Sequence, residues 1–184
     1  MSGYNSQIHR RRSVRLSGYD YSRSGLYFVT ICVNNRACVF GEVVEHEMRL
    51  NKIGNIAKRE WIMTPNHRPY VVLHDFVIMP NHIHGIIKIA HTDTVGALRA
   101  TPLQTDETVN MMSEKSPKEG TLPTIIRAYK SAVSKKIHET NIQFSWQRNY
   151  YEHIVRDERS YNKISEYINA NPAKWEKDRY FGGN

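Results

Sequence analysis

Runs of aromatic and β-branched residues occur at three places in the chain and predict strands. LYFVTICVNN begins at Leu26, VVLHDFVIM at Val71 and IHGIIKI at Ile83. Pro80 and Asn81 separate the last two runs, and such a pair favours a turn. The sequence therefore predicts one early strand and a later pair of strands joined by a short connection.

Three other segments space their apolar residues every three or four positions, which is typical of amphipathic helices. The first begins after Asn51, the second follows residue 121, and the third runs from about Ser160 to Ala170. Their apolar faces consist of Ile53, Ile56, Ala57 and Trp61, then Ile126, Tyr129, Val133 and Ile137, and finally Tyr161, Ile164 and Ile168. Before the first helix, VFGEVVEHEMRLN predicts a hairpin around Gly41 or a short pair of strands.

This order of elements predicts an α+β fold, with an antiparallel sheet and helices packed on one face. Residues 1–25, rich in arginine among Gly, Ser and Tyr, predict a basic N-terminal arm. Residues 26–178 are expected to form a single domain. Within it, residues 91–121 are rich in Thr, Ser, Gly and Pro without a clear period, and they predict a flexible insertion.

The balance of charge narrows the class of partner. The chain has 184 residues and a formal net charge of +8, which favours a polyanion such as nucleic acid, although a soluble protein can also simply be basic. No apolar run approaches the length of a membrane-spanning helix, so no membrane partner is expected. Two cysteines are too few for a disulfide framework, and a cytoplasmic, nucleoid-associated protein is the expectation.

The stretch MPNHIHG contains two histidines that could share one cation. Because alternate residues of a strand face the same side, His82 and His84 project together while Ile83 faces the core. Imidazole is a common metal ligand, and a third ligand that provides oxygen would suit Mg²⁺ or Mn²⁺. Gly85 follows and leaves room for the close approach of a ligand. Two surface histidines on a strand edge are the alternative.

The last predicted helix offers a nucleophile. Lys163, Tyr167 and Asn171 are spaced four residues apart and therefore share one helix face. An activated tyrosine can act as a covalent nucleophile. A metal that polarises a phosphate, together with a basic surface that binds DNA, would suit such a tyrosine to phosphodiester chemistry. Most helix tyrosines in such a position serve packing instead. Tyr150 and Tyr151 are the alternative nucleophiles.

Four ordered segments, LYFVTICVNNR, FVIMPNHIHGII, WQRNYYEHIVRDE and EYINANPAKW, resemble the REP-associated tyrosine transposases. These belong to the HUH-superfamily of single-tyrosine transposases of the insertion-sequence type, which act on single-stranded DNA. The resemblance extends from about residue 11 to about residue 175. It implies a ferredoxin-like, RRM-like antiparallel sheet, with the histidines on a central strand and the tyrosine helix lying across the site.

By the same resemblance, His82, His84 and Asn171 are expected to hold a divalent metal, Mg²⁺ or Mn²⁺, and Tyr167 is expected to be the catalytic nucleophile. The implied activity is that of a metal-dependent endonuclease and strand transferase that acts on hairpin or palindromic DNA through a 5′-phosphotyrosine intermediate. A non-catalytic DNA-hairpin-binding protein on the same fold is the alternative. A structural zinc module lacks a recognisable fourth ligand.

Basic residues along the chain are candidates for contacts with the DNA backbone, although a run of charge is more often a solvated face. The candidates are Arg10, Arg11, Arg12, Arg15, Lys130, Lys135, Lys136 and Arg148. Exposed aromatic residues could stack on bases. The sequence leaves open whether the protein is a monomer or a homodimer.

Overall fold

The structure, a computed structural model, describes residues 23–90 and 120–181. In chain order its elements are β1 (Gly25–Cys32), β2 (Gly41–Val44), β3 (Glu47–Leu50), α1 (Lys52–Ile62), α2 (Thr64–His67), β4 (Val71–Ile78), β5 (His82–Ile89), α3 (Leu122–His138), β6 (Tyr151–Val155) and α4 (Glu158–Ala170). Short 3-10 turns at Asn34–Arg36 and Pro172–Lys177 follow β1 and α4. Most of the predicted arm (1–25) and insertion (91–121) lies outside the described residues, as do Arg10, Arg11, Arg12 and Arg15.

Four strands form one antiparallel sheet in the order β4-β5-β1-β6. With helix α1 before β4 and helix α3 before β6, the chain follows the β-α-β-β-α-β order of a ferredoxin-like fold. The predicted α+β class with an antiparallel sheet is therefore confirmed. Strand β1 and strand β5 are the two central strands, and His82 and His84 lie on the latter.

The two faces of the sheet have different helices on them. Alternate residues such as Tyr27 and Ile87 face α1 and α3 and form the main core with them. On the opposite face, Phe28 and Ile86 pack against Ile168 of α4. The prediction of helices on one face thus describes α1 and α3, whereas α4 lies across the other face, which is also the face of the two histidines.

The predicted hairpin exists, with its turn at a different place. Strands β2 and β3 pair antiparallel, and Glu45 and His46 connect them with φ values of 51° and 67°. Gly41, at the start of β2, has φ of +139°, and a Cβ added there would collide with the carbonyl oxygen of Arg49. Gly41 is therefore needed for the entry into the hairpin and does not form its turn.

Gly85 leaves room for a protein side chain, not for a ligand as the sequence suggested. It lies on the face of β5 opposite the two histidines, and the fully buried indole ring of Trp61, from α1, rests against it. A Cβ on Gly85 would collide with Cζ2 of Trp61 and lie 3.2 Å from Cβ of Phe76. The glycine therefore permits the close packing of helix α1 on the sheet.

A Gly85→Ala variant is expected to be less stable than the wild type by about 1–3 kcal/mol, because the added methyl group overpacks a rigid contact with the Trp61 ring. Urea denaturation followed by circular dichroism measures the difference. Gly25→Ala is the matched control, since its added Cβ would lie 3.7 Å from the Tyr27 ring, an ordinary contact. Equal stability losses in the two variants would contradict the packing role of Gly85.

Candidate active site

His82 and His84 are buried residues of the central strand β5, so the alternative of two surface histidines is excluded. Their side chains point to the α4 face, with ring centroids 4.4 Å apart. Opposite them on β1 lie Cys32 and Thr30, in register. The alternation inferred from H-x-H is therefore confirmed, and it brings two imidazoles together beneath helix α4.

Asn81 determines which nitrogen of His82 is the acceptor. Its side-chain amide nitrogen donates to the carbonyl oxygens of Arg36 (3.0 Å) and Tyr180 (2.9 Å). Its Oδ1 therefore faces Nδ1 of His82 at 2.8 Å, and Nδ1 must be protonated to donate to it. This leaves a lone pair on Nε2 of His82, for which no donor exists among the described residues.

His84 is held in a similar way by strand β1 and helix α4. Its Nδ1 lies 2.8 Å from the hydroxyl of Thr30, and its Nε2 lies 3.1 Å from the phenolic oxygen of Tyr167. The phenol has one proton, which it donates to the carboxylate of Asp178 at 3.2 Å, so without a metal Nε2 of His84 donates to the phenolic oxygen and Nδ1 accepts from Thr30. Both histidines direct Nε2 toward the face covered by α4, and a cation bound there would require the tautomer of His84 with its proton on Nδ1.

Helix α4 brings Tyr167 and Asn171 to the histidines. Asp157 caps the helix by accepting from the backbone N–H of Ser160 at 2.7 Å, so the helix begins at Glu158 and not at the predicted Ser160. One turn separates Tyr167 from Asn171, and both side chains reach the site as the four-residue spacing predicted. Lys163, a further turn back, is exposed.

A bulge in β4 anchors the same helix. The register of β4 against β5 shifts between Leu73 and Phe76, and the two intervening residues both contact α4. Nδ1 of His74 lies 3.1 Å from the phenolic oxygen of Tyr161, and the hydroxyl of Ser165 donates to the carboxylate of Asp75. These two contacts, one helical turn apart, fix the position of α4 on the sheet.

Asp178 completes the cluster and was not predicted from the sequence. Its Oδ2 accepts hydrogen bonds from the Tyr167 phenol (3.2 Å) and from Nδ2 of Asn171 (3.0 Å). One ligand atom from each of His82, His84 and Asp178 lies within 4.8 Å of the others. Because Nδ2 of Asn171 is used in this way, its Oδ1 is left buried, and no described residue donates to it.

The donor set fits a divalent cation that prefers nitrogen and oxygen ligands. Burial lowers the pKa of His82 to about 3, with help from the charges of Arg179 and Arg36, and burial also lowers the pKa of His84 well below its usual range. Both imidazoles are therefore neutral at pH 7, as metal ligands must be. Two buried acceptors that lack donors, Nε2 of His82 and Oδ1 of Asn171, lie beside a carboxylate.

Tyr167 is an ordinary, protonated phenol in this arrangement. Burial and the negative charge of Asp178, which also accepts its hydrogen bond, raise the pKa of Tyr167 to about 12. The residue is still 40% exposed, so Tyr167 lies at the surface of the site and not within the core. A cation bound at the neighbouring histidines would favour the phenolate and oppose these two effects.

The buried histidines predict a loss of stability in acid. An unfolded histidine has a pKa near 6.5, whereas His82 has about 3 in the fold, so the unfolded chain binds more protons between these values. The contribution of His82 to the free energy of unfolding is therefore fully present above pH 6.5. It decreases as the pH falls toward 3, by about 1.4 kcal/mol per pH unit. His84 adds a contribution of the same sign.

Urea denaturation of the metal-free protein at pH values from 7 to 5, above the range in which most carboxyl groups titrate, measures this slope. His82→Gln should show a smaller slope than the wild type. A wild-type stability that does not change between pH 6.5 and 5 would contradict the prediction.

The other candidate residues lie apart from the histidines or outside the described residues. Tyr150 and Tyr151, the alternative nucleophiles, line a neighbouring cavity together with Thr30 and Tyr180. Lys135, Lys136 and Arg148 are exposed, as residues that contact DNA must be. The ammonium of Lys130 instead donates to the carbonyl oxygens of Gln147 (2.7 Å) and Asn149 (3.0 Å), so Lys130 is the least available of the described candidates.

In the described part of the chain, no helix combines the length and the apolar character that crossing a membrane requires.

Known proteins resemble this chain in sequence and in fold. A protein of Haemophilus influenzae, named "Uncharacterized protein", is 44% identical over 182 residues, which are 97% of each chain. A second H. influenzae protein, named "Putative REP-associated tyrosine transposase", is 28% identical over 155 residues, or 84% of this chain and 74% of that protein. No protein-family model matches the chain.

Among solved structures, a REP-associated tyrosine transposase bound to a REP hairpin has the same fold. It aligns with a TM-score of 0.55 and 19% identity over 87% of this chain and 74% of that one. The relative that bears the family name, the shared fold and the four ordered segments of the sequence agree with one another. The chain is thus similar in sequence to a relative that carries the name of the REP-associated tyrosine transposases, and it shares the fold of a solved transposase of that name.

Proposed function

We propose that this protein is a metal-dependent endonuclease and strand transferase that acts on single-stranded DNA with hairpin or palindromic structure, through a 5′-phosphotyrosine intermediate. One observation supports the proposal most strongly. The phenolic oxygen of Tyr167 lies 3.1 Å from Nε2 of His84, beside two buried acceptors that lack donors. A packing tyrosine has no need for such surroundings, whereas a nucleophile that attacks a phosphate does.

In the proposed reaction the oxygen of Tyr167 attacks the phosphorus of the scissile phosphate. The phenolic proton passes to Oδ2 of Asp178, which is 3.2 Å away. The bond between phosphorus and the 3′ oxygen breaks, and that oxygen takes up a proton from water to leave as a free 3′-OH. The 5′ phosphate stays joined to Tyr167, and attack by another 3′-OH reverses the step and joins two strands.

Four side chains would hold the cation: His82 and His84 through Nε2, Asn171 through Oδ1, and Asp178 through its carboxylate. Mg²⁺ or Mn²⁺ bound there would withdraw negative charge from the scissile phosphate. Asn81 and Thr30 orient the imidazoles through Nδ1, which is the usual task of residues behind metal ligands. All these residues belong to one chain, so a monomer has a complete site.

The choice of DNA as substrate rests on charge and on the relatives. The net charge of +8 suits a polyanion, and the solved relative is bound to a REP hairpin. Lys135, Lys136 and Arg148 are exposed candidates for backbone contacts, and the arginines of the arm would add to them.

The test is the incubation of purified protein with end-labelled hairpin DNA and Mn²⁺, followed by a denaturing gel. The proposal expects a protein–DNA band that survives denaturation and is absent when a chelator is added. Mass spectrometry of the digested band should find the nucleotide on Tyr167 and not on Tyr150 or Tyr151. Tight binding of several hairpins without any covalent band would favour the non-catalytic hairpin-binding protein.

A further inference from the structure

A cavity of about 240 Å³ opens next to the candidate active site. Its floor is formed by Thr30 and Cys32, at the end of strand β1. Its walls are the side chains of Arg36, Gln147, Asn149, Tyr150, Tyr151 and Tyr180. The reaction proposed above leaves this cavity unused.

The cavity and the histidine pair share two residues. The hydroxyl of Thr30 lies 2.8 Å from Nδ1 of His84. Tyr180 also lines the cavity, and its ring centroid lies 4.5 Å from that of His82 and 5.9 Å from that of His84. A group bound in the cavity would therefore contact side chains that themselves contact the histidines.

The wall that contains Gln147 and Asn149 is fixed through its backbone. The backbone N–H of Gln147 donates to the carbonyl oxygen of Cys32 at 2.9 Å, and Lys130 donates to the carbonyl oxygens of both wall residues. Neither side-chain amide is bonded to any described residue, and both side chains are exposed. The backbone of these two residues is thus fixed beside the cavity, while their side-chain amides are not used for the protein's own fold.

Arg36 provides a positive charge at the rim. Asn35 and Arg36 have φ values of 53° and 54°, a left-handed conformation that costs free energy in residues other than glycine. The contacts that hold it there are a hydrogen bond from Asn81 to the carbonyl oxygen of Arg36 and another from its guanidinium to the carbonyl oxygen of Arg179. Strain maintained in this way is typical of functional sites.

We propose that this cavity binds one unpaired nucleobase of the DNA strand that lies at the histidine pair, and that Gln147 and Asn149 select which base is accepted. The proposal rests on the proposed function for the strand itself. Tyrosine rings provide flat faces on which a base can stack, and each amide offers a donor and an acceptor that can pair with a base edge, as Asn and Gln do with adenine. The Arg36 guanidinium suits the attached phosphate.

The test uses a pool of hairpin oligonucleotides with randomised single-stranded flanks, bound to the full-length protein in the presence of a chelator so that no cleavage is needed. Bound oligonucleotides are recovered from a native gel and sequenced. The wild type should enrich one base at one flank position by about tenfold, the discrimination expected of one good amide–base pair. The double variant Gln147→Ala/Asn149→Ala should lose the preference at that position and keep the others.

Gln143→Ala is the matched control, because Gln143 is exposed in the same segment and does not line the cavity. Asn149→Asp, which replaces a hydrogen-bond donor by an acceptor, should change the preferred base. This variant tests the inference if the double alanine variant fails to fold. The inference is overturned if the wild type shows no preference, or if the double variant keeps it.

The two proposals can fail separately. Mapping the Mn²⁺-dependent cut on the enriched oligonucleotides should place the selected base among the nucleotides that adjoin it. A preference that depends on Gln147 and Asn149, without any covalent product, would support the base-binding cavity and overturn the cleavage reaction. A covalent product whose flank preferences are the same in the wild type and the double variant would support the cleavage reaction and overturn the base-binding cavity.

Discussion

A Tyr167→Phe variant is expected to bind hairpin DNA as the wild type does and to form covalent protein–DNA product at least about 10³-fold more slowly. The variant removes one oxygen atom, which is the proposed nucleophile. The ring itself stays in place, because it packs edge-on against Phe28 and His84 with centroids 6.3 and 5.1 Å away. Loss of the two hydrogen bonds to His84 and Asp178 should cost no more than about 1–3 kcal/mol of stability.

The measurement compares the two proteins on a denaturing gel, for the covalent product, and on a native gel, for binding. A mobility shift like that of the wild type on the native gel shows that the variant is folded and binds DNA. A missing covalent band then means that only the cleavage reaction is lost. If the covalent band persists in Tyr167→Phe and disappears in Tyr150→Phe or Tyr151→Phe, that other tyrosine is the nucleophile and the proposed role of Tyr167 is wrong.

The elements of the fold could be predicted from the sequence because each has its own local pattern. The alternation and the apolar runs of β1, β4 and β5 placed these strands within a few residues of their bounds. The side of the sheet on which α4 packs was implied only by the family resemblance, because an amphipathic stripe such as Ile164 and Ile168 shows that a helix packs without showing on which face. The capping role of Asp157 explains the earlier helix start.

The site divides in the same way. H-x-H and the four-residue spacing of Tyr167 and Asn171 are local, so each pair could be placed on one face from the sequence. Asp178 lies in KWEKDRY, where charged residues surround it without a period, and it reaches the histidines only because the chain turns back through Pro172–Lys177. Contacts made by such a reversal leave no periodic signal. Asn81 was recognised as part of a turn, but its role behind His82 depends on two distant carbonyl oxygens.

A His82→Ala variant is expected to bind Mn²⁺ at least about 100-fold more weakly than the wild type, because it removes one of two imidazoles that face the site. Isothermal titration calorimetry of the protein without DNA measures the affinity, so the result does not depend on activity. His67→Ala is the matched control, since His67 is an exposed histidine of helix α2. An unchanged affinity in His82→Ala would contradict the assignment of the metal site.

Asn81 should modify the same affinity without touching the metal. Its Oδ1 accepts from Nδ1 of His82 and so keeps the lone pair on Nε2, where a cation can use it. Asn81→Ala is expected to weaken Mn²⁺ binding by about 10- to 100-fold, which is typical for the loss of a residue behind a metal ligand. Asn81→Asp retains an acceptor for Nδ1 and should lose less, although it can no longer donate to Arg36 and Tyr180. Circular dichroism at the titration temperature verifies that both variants are folded. Equal losses in the two would show that the bonds to these carbonyl oxygens, and not the tautomer of His82, are what the site requires of Asn81.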